Sequence, residues 1–152
     1  MCCTASPKGR RRTTPPCRLI ETEEFNGSAC PYYDAVCWAY QTGLLRQGDL
    51  HTDYDDDMDY QTACLLIYRY AAMSGIDTRV DQELARQTMR ENPRLSGEVV
   101  KAMLWCDQTD ITTRDSEMGE LLAAYDTRIN RYQMTSFLFY LCTYELNSRN
   151  EA

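Results

Sequence analysis

The chain has 152 residues, 43% hydrophobic and 26% charged, which is the composition of a globular domain and not of a fully disordered chain. Its net charge of −7 argues against a general nucleic-acid binder, which needs cations clustered over its folded surface. No apolar run approaches the roughly eighteen residues of a membrane span, and the N-terminus lacks the apolar core of a signal peptide. An intracellular chain is therefore expected, nuclear or cytoplasmic, with its eight cysteines as reduced thiols.

The charge is unevenly placed. The first eighteen residues hold five basic side chains (Lys8, Arg10, Arg11, Arg12, Arg18) and no acidic one, leaving eleven basic and 23 acidic for the rest, a balance of +5 against −12. Residues 1–27 contain Pro7, Pro15 and Pro16 and little that can pack, so a disordered tail is expected, its large apolar groups confined to Leu19, Ile20 and Phe25. Lys8, Arg10, Arg11 and Arg12, flanked by prolines, match a nuclear import signal. Cys2 and Cys3 just upstream offer a second reading, reversible acylation joined to electrostatic attachment, which makes a membrane surface a partner. A merely solubilising tail is the third. The Asn26-Gly27-Ser28 pattern is a glycosylation acceptor only in an exported chain.

A first helix is expected from Ser28 or Cys30 to near Gly48, with Tyr33, Val36, Cys37, Tyr40 and Leu44 on one face. An acidic loop follows, and its last carboxylates favour the N-terminal dipole of a second helix over 57–74. That helix carries Tyr60, Ala63, Cys64, Ile67 and Ala71 along one face, widened by Leu65, Leu66 and Tyr68, and should be the most buried, with Gly75 as its stop. Thr78 can cap a third helix with Val80, Leu84 and Met89 inward, ending before Pro93. Ser96 can cap a fourth with Val99, Val100, Met103 and Leu104 inward. After an Asp- and Thr-rich loop over 107–115, apolar periodicity resumes at Met118, Leu121, Leu122, Tyr125, Ile129 and Tyr132. It continues through Phe137, Leu138, Tyr140, Leu141 and Tyr144, as one bent helix or two broken at Asp126-Thr127. Strand-type alternation is almost absent. The expected fold is all-α: a single compact bundle of five or six helices over 28–148, with the basic tail at 1–27 and a C-terminal tail at 149–152.

Catalytic chemistry is sparsely supplied. His51 is the sole histidine and sits among Asp49, Asp53 and Asp55, so a single chain can form neither a two-histidine metal site nor a histidine relay. The run Asp53-Tyr54-Asp55-Asp56-Asp57-Met58-Asp59 begins like a calcium loop. However, Met58 stands where that loop needs glycine and Cys64 where it needs a bidentate glutamate. No Cys-x-x-Cys occurs, so no zinc signature is present. No cofactor and no metal are expected. A thiol- or metal-dependent activity using the tail cysteines or the Asp53 to Asp59 cluster is the enzymatic alternative.

Two short patterns point to protein partners. Leu104-Trp105-Cys106-Asp107-Gln108 resembles the L-x-C-x-E motif through which viral oncoproteins and cellular proteins engage retinoblastoma-type pocket proteins, with Gln108 in place of the acid. Leu44-Leu45-Arg46-Gln47-Gly48-Asp49, with Tyr40 one turn earlier, resembles the L-x-x-x-G-D core of the BH3 motif of Bcl-2-type cell-death regulators. There an amphipathic helix enters a groove and its aspartate meets an arginine. Leu104, Cys106, Gln108, Tyr40, Leu44 and Asp49 are thus the candidate partner-binding residues. Eleven tyrosines, two tryptophans and seven methionines add residue types enriched at interfaces. The expectation is a non-enzymatic regulatory or accessory protein, of a design that suits a viral one. Its helical body binds protein partners or a second copy and its tail sets location.

Overall fold

The first helix, α1, spans Tyr33–Gln41 in a computed structural model that describes residues 33–46, 48–49, 58–112 and 127–150. It ends well before the expected Gly48. Gly43 adopts φ +77°, a left-handed conformation that suits glycine and stops a helix. The Thr42 hydroxyl donates back to the carbonyls of Trp38 at 2.9 Å and Ala39 at 3.2 Å, and the Leu45 amide also donates to Ala39. Cys37, Ala39 and Leu45 are buried, while Trp38 is exposed. The chain falls into two units, Met1–Leu45 and Arg46–Ala152, and α1 belongs to the first.

The second unit holds everything else. A two-residue strand, β1 (Met58–Asp59), pairs antiparallel with β2 (Arg128–Ile129), Met58 opposite Ile129. Two residues are too few for alternation to register, so this pair was not expected. It places the start of α2 (Tyr60–Met73) beside residues 127–129, where the Tyr60 amide donates to the Thr127 carbonyl at 2.9 Å. Asp59 is the N-cap, accepting from the Thr62 amide at 2.8 Å and the Thr62 hydroxyl at 3.0 Å. The expected face of α2 is the buried one: Tyr60, Ala63, Cys64, Ile67 and Ala71 all lie in the core. Gly75, with φ +78°, follows its end as expected.

The third helix, α3, is Gln82–Glu91, and its cap is Asp81 instead of Thr78. The Asp81 carboxylate accepts from the amides of Glu83 and Leu84, at 2.9 and 2.8 Å. From that start the inward residues are Ala85 and Thr88, with Met89 half-buried, and Leu84 faces solvent, contrary to expectation. Val80 packs from just before the helix. The fourth helix, α4, is Gly97–Gln108 and is capped by Ser96, whose hydroxyl accepts from the Val99 amide at 3.2 Å. It is buried further round and further along than expected, since Ala102, Trp105 and Cys106 join Val100, Met103 and Leu104 in the core. With six of its twelve residues buried, α4 shares the centre of the unit with α2, against which it packs.

The last helix, α5, runs Arg131–Asn150, two residues past the expected boundary at 148. Residues 127–130 are not helical and include strand β2, so no single helix runs through them into α5. Its start is a reciprocal cap: the Gln133 amide donates to Asn130 Oδ1 at 3.0 Å, and the Asn130 amide donates to Gln133 Oε1 at 2.9 Å. Phe137 and Leu141 enter the core, where Phe137 meets the Tyr60 ring edge-on at 6.3 Å. Trp105 is flanked edge-on by Tyr68 and Tyr144, each at 6.0 Å, and its indole N–H donates to the Asp77 carbonyl at 3.0 Å. Each of these large side chains contributes about 1.5–3 kcal/mol by leaving water.

Candidate functional site

The described residues of the second unit offer two features beyond an ordinary core. The first is a charged cluster at one end of α2 and α4. Arg69 lies on α2, with 7% of its side chain exposed. Its guanidinium donates to both oxygens of Glu98 at 3.0 and 2.9 Å, and to Asp49 at 2.5 and 3.3 Å. Burial alone lowers the pKa of Arg69, but the hydrogen bonds to Glu98 and Asp49 outweigh it and hold the group above its ordinary value. Glu98 sits in the first turn of α4, where the helix dipole favours a carboxylate. The Arg69 hydrogen bond holds Glu98 below its ordinary pKa against the opposing effect of burial. Arg46 reaches the same carboxylate at 3.1 Å.

Asp49 is fixed from its own side as well, since its carboxylate accepts from the Arg46 amide at 2.6 Å and its backbone carbonyl accepts from the Thr62 hydroxyl at 3.3 Å. Asp49, Thr62, Arg69 and Glu98 border a cavity of about 320 Å³, lined also by Gln61, Leu65, Arg94, Ser96 and Val99. Two guanidiniums and two carboxylates satisfy one another here, an arrangement suited to fastening Arg46 and Asp49 to α2 and α4. The Glu98 carboxylate is lowered, away from the role of a proton donor. Among the described residues no group of three or more His, Cys, Asp or Glu side chains is placed to hold a metal ion.

The second feature is the outer face of α5. Opposite its core face, Tyr132, Phe139, Leu146 and Leu138 are 77%, 65%, 63% and 45% exposed, and Cys142 lies exposed among them. No charged residue occurs from Tyr132 to Tyr144. The hydroxyls of Thr135 and Thr143 donate to the Arg131 and Phe139 carbonyls, at 2.7 and 2.9 Å, which spends them within the helix. The helix is therefore apolar on both sides. Among the described residues no helix is long and apolar enough to cross a membrane.

Leu104 and Cys106 are buried in α4, Cys106 completely, with its sulfur 3.9 Å from the Cys64 carbonyl. Burial and the neighbouring Cys64 push the Cys106 thiol well above its ordinary pKa. Of that pattern Asp107 and Gln108 are exposed, while Leu104 and Cys106 serve the core in this fold. The BH3-like pattern is not one helix: Tyr40 is half-buried on α1, Leu44 follows its end, and Asp49 is engaged by Arg69 of the same chain. Cys2, Cys3, Lys8, Arg10, Arg11, Arg12, His51, Asp53, Asp55, Asp56, Asp57 and the apolar positions Met118 to Tyr125 lie outside the described residues. Asp59 is the α2 cap.

Sequence periodicity missed both features. Arg69 has no signal except a charge inside an apolar pattern. The α5 face has one, the uncharged stretch whose apolar residues fill more than one side of a helix. No protein-family model matches the chain, and no curated protein or solved structure is significantly similar to it.

Proposed function

We propose that this chain is a non-enzymatic regulatory protein that binds protein through the outer face of α5, while the basic segment at 1–27 sets its location. The observation that carries the reading is the row of exposed apolar side chains Tyr132, Leu138, Phe139 and Leu146 on a helix whose other side is already packed in a core. Exposed apolar patches of this kind mark interaction sites, and aromatic anchors at their centres carry most of the binding energy. The charged cluster supports the reading indirectly, because its carboxylates and guanidiniums are engaged with one another in a fastening role.

A photo-reactive side chain placed at position 139 of the full chain tests this in cells. The reading predicts discrete cross-linked protein adducts, absent when the same group replaces exposed Arg90 on α3. Equal, diffuse labelling at both positions would overturn it.

A further inference from the structure

We propose that the outer face of α5 pairs antiparallel with the same face of a second copy of this chain, an inference that rests on this face being the interaction surface. The apolar row repeats every seven residues, at Tyr132, Phe139 and Leu146, with Cys142 between the last two. A seven-residue spacing keeps one seam facing a partner helix along its length. Phe139 lies midway between Tyr132 and Leu146. A two-fold axis through Phe139 thus sets Phe139 against its own copy, and Tyr132 of each chain against Leu146 of the other. A symmetric interface requires that reciprocal matching.

Charge selects the direction. Arg131 and Glu145 are fourteen residues apart, at the same position of the repeat, and so lie on the same flank of the row. Antiparallel pairing brings like flanks together and yields two reciprocal Arg131–Glu145 approaches. Parallel pairing turns each toward the opposite flank, where Ser136 and Thr143 carry no charge. The size also fits a second copy. The four exposed side chains present on the order of 500 Å² per copy, at ~200 Å² for a whole large side chain. Doubled, that is about 1,000 Å², the lower bound of a specific interface and the size of a reversible one.

Sedimentation equilibrium of the reduced full chain tests the proposal. It predicts a monomer–dimer equilibrium between about 1 and 200 μM and at least a hundredfold weaker association in Phe139→Glu. Arg131→Glu and Glu145→Arg should each weaken association roughly three- to tenfold, and the double exchange should restore it. A monomer throughout that range, or a dimer indifferent to Phe139→Glu, overturns the second copy. A dimer lost in Phe139→Glu but unmoved by either charge reversal overturns the antiparallel register. A monomer that still gives heterologous adducts through position 139 overturns this inference alone. Absence of adducts at 139 removes the underlying reading too.

Discussion

The Arg69 guanidinium and the Asp49 carboxylate meet at 2.5 Å with 7% and 13% of their side chains exposed, on the side of α2 opposite Tyr60 and Ala71. Their burial makes each depend on the other, because removing one partner strands the other's charge out of water. Arg69→Ala should therefore destabilise the fold by about 3 kcal/mol. Most of that arises at Asp49, since Glu98 is more than a third exposed and its share is screened. Arg69→Met combined with Asp49→Asn should recover part of the loss. Urea unfolding midpoints of the three proteins check this.

The same cluster sets an acid limit. The folded-state pKa of Glu98 lies below its unfolded value, chiefly through the Arg69 hydrogen bond. Its stabilising contribution is complete above the ordinary glutamate value of about 4.3 and is lost as pH falls through the lowered folded value. Stability measured from pH 7 down to pH 3 should decline on that acid limb, and Glu98→Gln should flatten the decline while lowering stability at neutral pH.

Tyr60 and Thr112 share a buried hydrogen bond of 2.8 Å, and Thr112 is wholly inaccessible. Tyr60→Phe leaves that hydroxyl unsatisfied in the core and should cost about 1–3 kcal/mol. Adding Thr112→Val should cost less than the sum of the two single changes, which a double-mutant cycle in denaturant reads directly. Burial also raises the Tyr60 pKa above its ordinary value. Stability should accordingly fall as pH climbs past about 10, where the unfolded tyrosine ionises and the folded one does not.

The Asn130–Gln133 cap holds the start of α5, and with it the base of the exposed row. Asn130→Ala should cost about 1 kcal/mol. Amide exchange should quicken first at residues 131–134, before any change at the α2–α4 core.

Much of the fold was legible because its signals are local. The face of α2 follows a single period from Tyr60 to Ala71, and Ser96 and Gly75 mark helix ends by chemistry that needs no tertiary partner. Leu84 was misplaced because Thr78 and Asp81 both offer caps, and the choice between them turns the helix. The early end of α1 depends on Gly43 adopting a left-handed turn, which the apolar spacing through Leu44 conceals. Arg69 was illegible as a buried residue, since its partners stand 20 and 29 positions away. On α5 the apolar residues are plain in the sequence. Periodicity counts Phe137 and Leu141, which face the core, together with Leu138 and Phe139, which do not, and so cannot separate a core face from a binding face.

Cys142, the only exposed cysteine among the described residues, lies between Phe139 and Leu146 and reports on whether protein covers the outer face of α5. Its alkylation rate in the native full chain, read from the mass of its own peptide, is the most direct measurement. Coverage by a second copy predicts slow alkylation at high protein concentration, faster alkylation on dilution, and fast, concentration-independent alkylation in Phe139→Glu. Alkylation that is equally fast in both proteins at every concentration would contradict it.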